Sequence, residues 1–190
     1  EAAGATTFSD GSSAARTVTC SGTACPTLAV SGRFDRAARF DGATDYLSAG
    51  SGLNLANQSF TLAFWARRGS SGTYDLALGQ GTNSNNQGLQ AGFRSSDKFT
   101  CAFYGNDLDT AATYTDTDWH HWACTYDATS KARNIYRDGV NVAQDVASAN
   151  YQGSGDWLIG KAPWGDFFDG ALDDLHVYAR VLNASELQAL

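Results

Sequence analysis

Apolar and polar side chains alternate with a period of two along most of the chain, in runs broken by clusters of Gly, Asn, Asp and Ser. Such alternation marks half-buried strands joined by tight turns. It predicts strands over Ala37–Phe40, Asp45–Ser48, Ser59–Arg68, Tyr74–Leu78, Leu89–Arg94, Lys98–Tyr104, His120–Tyr126, Ala132–Arg137, Val140–Val146, Trp157–Gly160 and Ala171–Tyr178. Within Ser59–Arg68, Phe60, Leu62, Phe64 and Ala66 share one face, while Thr61, Ala63, Trp65 and Arg67 share the other. Both faces are fairly apolar, which suits a strand sandwiched between layers. Asp138-Gly139 between two such runs predicts a type I′ hairpin, because both residues readily take positive φ. Helical signal is confined to the C-terminus. There Asn183 followed by Glu186 reads as a capping box, and Leu182, Leu187 and Leu190 would pack that turn against the strands. The weakly patterned first thirty residues predict an edge strand and then a disulfide-pinned loop.

With 190 residues the chain is long enough for one sizeable core, so residues 1–190 are expected to form a single all-β domain. A hydrophobic content of 43% against 17% charged residues indicates a folded chain, not a disordered one. No apolar run is long enough to span a bilayer. No signal peptide opens the sequence, so it reads as a mature or excised fragment. The net charge of −7 argues against nucleic acid as a partner, since phosphate binding needs a basic stripe. Arg33, Arg36 and Arg39 are the one local concentration of cations and read as a solvated loop and strand edge.

Four cysteines lack Cys-x-x-Cys spacing, and the three histidines do not complement them as zinc ligands. The simplest pairing is Cys20–Cys25, closing a small loop, and Cys101–Cys124, joining two strand-like runs. The longer loop would contribute about 3 kcal/mol by restricting the unfolded chain. Disulfides imply an oxidising compartment, hence a secreted or extracellular protein.

Four segments resemble a known family. Arg39-Phe40-Asp41-Gly42-Ala43-Thr44-Asp45-Tyr46-Leu47 is similar to the entry of laminin-G-like jelly rolls of the concanavalin A-like lectin/glucanase superfamily, and Phe60-Thr61-Leu62-Ala63-Phe64-Trp65-Ala66 to their next core strand. Trp119-His120-His121-Trp122-Ala123-Cys124-Thr125-Tyr126-Asp127 with Tyr136-Arg137-Asp138-Gly139 resembles their central hairpin. The stretch from Phe168 to Tyr178 and the Leu182–Leu187 turn complete the set. The resemblance implies a two-sheet antiparallel jelly-roll sandwich with a short C-terminal helical turn. It also implies ligands drawn from glycans, proteins or lipidic molecules. Fold alone does not choose among these.

Relatives in this superfamily include glycosidases, which need two carboxyls flanking the scissile bond. The chain has only two glutamates, Glu1 at the terminus and Glu186 in the capping box, which leaves Asp107 and Asp109 as the nearest acidic pair. His121, Tyr104, Gln90 and Arg94 supply the residue types of a polysaccharide lyase without a lyase motif, and His120 and His121 read as structural. The resemblance further implies a structural calcium ion held by the Asp173 carboxylate, the Gly42 carbonyl and Asp10. For recognition, sugars need aromatic faces and planar polar groups. Trp164 stands in a loop without core duties, whereas Trp65, Trp119, Trp122 and Trp157 fall in strand patterns and are expected in the core. Trp164, Asp166, Tyr104, Asn106, Asp107 and Asn85 are therefore the candidate ligand residues. The leading expectation is a non-catalytic module of a secreted protein that binds a polysaccharide or oligosaccharide through its loops and concave face. The alternative is an adhesion domain that contacts a cell-surface protein.

Overall fold

The computed structural model describes residues 4–190, so Glu1 lies outside the described residues. The strands are β1 (Thr7–Ser9), β2 (Thr17–Thr19), β3 (Thr27–Ser31), β4 (Arg36–Asp41), β5 (Leu47–Ser48), β6 (Phe60–Arg68), β7 (Asp75–Gly81), β8 (Gly88–Phe93) and β9 (Phe99–Ala102). They continue with β10 (Asp107–Asp109), β11 (His120–Tyr126), β12 (Ala132–Arg137), β13 (Val140–Val146), β14 (Leu158–Ile159), β15 (Lys161–Ala162), β16 (Gly165–Phe167) and β17 (Asp169–Tyr178), before helix α1 (Ala184–Gln188). One sheet, the eight-stranded sheet, runs β1-β2-β5-β14-β7-β8-β9-β10, and the seven-stranded sheet runs β13-β12-β11-β6-β17-β4-β3. All ladders are antiparallel, and β15 and β16 form a separate hairpin. The jelly-roll sandwich expected from the sequence is the observed fold.

Each predicted strand corresponds to an observed one, although β5 and β14 keep only two paired residues each. The N-terminal region holds three strands where one was expected, and β10, β15 and β16 were not anticipated. The period-two reading of β6 holds. Phe60, Leu62, Phe64 and Ala66 enter the core shared by the two sheets, opposite Leu89, Ala91, Phe93 and Phe99. Trp122 from β11 stacks on Phe99 with ring centroids 4.0 Å apart and meets Phe93 edge-on. Cys101–Cys124 links β9 in one sheet to β11 in the other through this core, and Cys20–Cys25 closes the N-terminal loop, as the spacing suggested.

The opposite face of β6 explains the C-terminal turn. Ala63 and Ala123 leave a shallow bed on which Leu182 and Leu187 are buried. Thr61 Oγ1 donates to the Arg180 carbonyl and accepts from the Leu182 amide, fixing the approach to α1. The capping box is present: the Glu186 amide donates to Asn183 Oδ1 and the Asn183 amide donates to Glu186 Oε2. The Asp138-Gly139 hairpin likewise has both residues at positive φ.

One buried ion pair ties the sheets at the Arg68 end. Arg68 and Asp75 side chains are 3% and 1% exposed, with Nη2 and Oδ2 2.7 Å apart. Arg68 also donates to Asp97 and to the Tyr114 carbonyl while lying over the Phe93 ring. Satisfying every donor in this way is what makes a buried guanidinium tolerable.

A candidate saccharide-binding surface

The candidate surface is built on glycines. On the outer side of the eight-stranded sheet, a Cβ at Gly79 would lie 2.8 Å from Ala162 Cα, and one at Gly88 would lie 2.8 Å from the Trp164 ring. These positions form a bed for the β15–β16 hairpin, whose tip carries Pro163 and Trp164. The indole of Trp164 is half-buried across Gly88. Its neighbour is Tyr104, edge-on with centroids 5.4 Å apart.

Tyr104 is placed by a second tight turn. Tyr104 and Gly105 both have positive φ, and the Phe103 amide donates to the Asn106 carbonyl, which makes this a two-residue hairpin between β9 and β10. The Asn loop clamps that turn from the side. The Asn86 amide donates to the Tyr104 carbonyl at 3.0 Å. The exposed Asn85 amide lies against the tip and, with its nitrogen turned inward, would donate to the carbonyls of Tyr104 and Gly105 and accept from Asn86 Nδ2.

Of the six expected ligand residues, the structure therefore brings Trp164, Tyr104 and Asn85 together. Asn106 lies beneath them and is buried: its amide donates to Asn86 Oδ1 and the Ala149 carbonyl and accepts from the Ser148 amide. It holds the tip in place. Asp107 points outward from β10 and shares Arg94 with Asp109, at 2.9 and 3.2 Å. The two aspartates do fall on one strand face, but as a clamp on one guanidinium that also donates to Thr100 Oγ1. Asp166 is exposed at positive φ on the bulge between β15 and β16.

Sequence reasoning overlooked the neighbouring patch in which Lys161 Nζ lies 4.7 Å from the Tyr46 ring and 4.6 Å from that of Phe167. It also placed all four strand tryptophans in the core. Trp122 and Trp157 are there, but Trp65 and Trp119 are half-buried on the outer side of the seven-stranded sheet. A strand with two apolar faces gives no cue to how completely its outer one is covered.

The residues expected to hold calcium lie in three local settings. Asp173 Oδ2 accepts from the Phe34 amide and Oδ1 from the Asp174 amide. Asp10 caps its own turn, accepting from Ser12 and Arg16. Gly42 packs against Asp169. Among the described residues no group of three or more His, Cys, Asp or Glu side chains is gathered to hold an ion. A cavity of about 340 Å³ opens between the sheets, with walls that include Phe8, Leu28, Phe40 and Leu172 together with Arg36 and Asp173.

A family model described as the concanavalin A-like lectin/glucanases superfamily, of the laminin-G type, matches residues 41–188. The chain belongs to this superfamily. The match starts at Asp41, within the motif that resembled the family's entry, and ends in α1. No curated protein sequence matches the chain. Among solved structures, domain 4 of AbnA, an extracellular arabinanase from Geobacillus stearothermophilus in complex with arabinotriose, aligns with a TM-score of 0.71 at 19% identity, covering 89% of this chain and 81% of that one. The binding domain of Paraclostridial Mosquitocidal Protein 1 aligns with the same TM-score at 18% identity, over 95% of this chain and 48% of that one. The Ruminococcus gnavus sialidase CBM40 bound to α2,3-sialyllactose aligns at 0.57 and 19% identity, over 70% and 82%. At these identities the likeness is one of fold. This superfamily member thus has a lectin-like sandwich whose structural neighbours include carbohydrate-binding domains.

Proposed function

We propose that this chain is a non-catalytic carbohydrate-binding module of a secreted protein, with its saccharide lying on the outer side of the eight-stranded sheet. The observation that carries the reading is the Trp164 indole seated on Gly88 with Tyr104 against it. Two aromatic rings fixed by backbone turns offer apolar faces to the C–H surface of a sugar at small entropic cost. Asn85 borders them and reads hydroxyls, with Asp107 on β10 and Asp166 on the β16 bulge as further polar groups of the same surface, while Asn106 holds the tip. The arabinotriose and sialyllactose complexes of the structural neighbours support saccharide as the ligand class.

Hydrolysis would need two carboxyls free to exchange protons across a bond. Asp107 and Asp109 are both bound to Arg94, and Glu186 is bound to Arg180 and the Asn183 amide. The reading therefore assigns turnover to no residue described here. The calcium ion proposed for Asp173, the Gly42 carbonyl and Asp10 is structural and takes no part in contacting the saccharide.

A glycan array probed with the wild-type chain and with Trp164→Ala tests the proposal. Wild type is expected to bind at least one oligosaccharide, in chelator as well as without it, and Trp164→Ala to lose roughly tenfold or more in affinity, about the worth of one stacked aromatic. Undiminished binding by the variant would move the site elsewhere. Loss of wild-type binding in chelator would mean an ion-held site.

A further inference from the structure

The outer side of the seven-stranded sheet is only half covered. Leu182 and Leu187 occupy the half containing Ala63 and Ala123, which leaves Trp65, Arg67 and Trp119 half-buried on the other. The hairpin between β3 and β4 reaches over Trp65: Phe34 meets it edge-on at 6.0 Å, and the Arg33 guanidinium lies 4.6 Å from its ring centre. Arg67 lies in the same way over Trp119, at 5.2 Å. Trp65 and Arg67 are two residues apart on one strand face, so roughly 7 Å separates their backbones.

Three features of this patch point to a ligand. In a chain of net charge −7, most arginines are claimed by carboxylates, yet Arg33 and Arg67 have only aromatic rings as partners among the described residues. Phe34 is 49% exposed beside them. Trp65 Nε1 and His121 Nε2, on rings 5.5 Å apart, are buried with no hydrogen-bond partner, and His121 as a whole is only 4% exposed. Unpaired polar atoms in a buried position are rare enough to require a reason. Three carboxylates on this face are engaged: Asp173 by the Phe34 and Asp174 amides, Asp174 by His176, Asp138 by His120 and the His121 amide.

We infer that this half-face is a second saccharide site, separate from the Trp164 surface, which selects sugars bearing a carboxylate. A guanidinium held over an aromatic ring keeps its N–H edge available, and that edge matches a carboxylate in two-point geometry. The exposed Phe34 and half-buried Trp119 give the sugar ring its apolar contact, and a shift of the exposed Phe34 side chain would let a ligand oxygen reach the Trp65 N–H. A uronate-containing chain is the occupant that fits both the ring-held arginines and the aromatic floor.

Calorimetric titration with tri-galacturonate and with neutral α-1,4-galactotriose, identical but for its primary alcohols, tests this. Wild type is expected to bind the uronate at least tenfold more tightly. The double variant Arg33→Gln/Arg67→Gln should erase that preference, and Trp164→Ala should keep it. In parallel, the Trp65 indole resonance of wild type should move with the uronate and stay still with the neutral sugar, a result that does not depend on how the variants fold. Equal binding of the two sugars, a preference that survives in the double variant, its loss in Trp164→Ala, or an unmoved Trp65 resonance would each overturn the inference.

Discussion

Asp41 organises the turn between β4 and β5 almost alone. Its Oδ1 accepts from the amides of Ala43, Thr44 and Asp45, its Oδ2 from Thr44 Oγ1, and its own amide donates to Asp45 Oδ2. Gly42 follows at φ +75°, where a side chain would collide with Asp169. This is the physical content of the Phe-Asp-Gly motif by which the family is recognised. Burial alone would raise the Asp41 carboxyl, but the hydrogen bonds from Thr44, Asp45 and Ala43 outweigh it and hold the group far below its usual 3.8. A carboxylate with a depressed folded pKa contributes stability above its unfolded pKa and loses it as pH falls toward the folded value. Melting temperature should therefore fall as pH drops below about 4, and Asp41→Asn should flatten that dependence while costing about 1 kcal/mol at neutral pH, solvent screening limiting the effect. Thermal melts of both proteins from pH 6 to 2 check this; parallel curves would show that Asp41 contributes nothing to acid sensitivity.

At the scale of elements, legibility followed hydrogen-bond ladder length. Val140–Val146 and Ala132–Arg137 were read to the residue because alternation over six or seven positions leaves little freedom of phase. The β15–β16 hairpin was invisible because its strands are two and three residues long and a bulge at Asp166 breaks their period. Asp107–Asp109 was hidden because two of its three side chains are charged and face solvent. Trp164 could still be picked out as a tryptophan without a strand, but its seat on Gly88 could not, since that contact joins segments distant in sequence. The same contact makes a prediction. Gly88→Val would push against the Trp164 ring and against the Thr82 carbonyl, 2.5 Å from the new Cβ. Affinity for any array-identified oligosaccharide should drop at least as far as in Trp164→Ala, with the disulfides and the core aromatics unaltered. Retained affinity, measured by calorimetry, would mean that the indole's seat is irrelevant to binding.

For the whole molecule, four separate motifs in the right order were enough to give the architecture, because each encodes a local necessity of one sandwich: a knitted turn, a core strand, a tight hairpin, a capped helix. Function was less legible. Trp164 and Tyr104 could be picked out as loop aromatics, whereas the role of Asn106 as a buried brace and the outward placement of Trp65 and Trp119 depend on long-range packing. The account as a whole requires the glycan to meet the Trp164 indole. Heteronuclear NMR of the five indole N–H resonances during titration with an array-identified neutral oligosaccharide measures that contact directly. The account predicts that the Trp164 resonance shifts and saturates with the binding curve while those of Trp122 and Trp157, buried in the core, stay in place. A stationary Trp164 signal in the presence of bound sugar would contradict it.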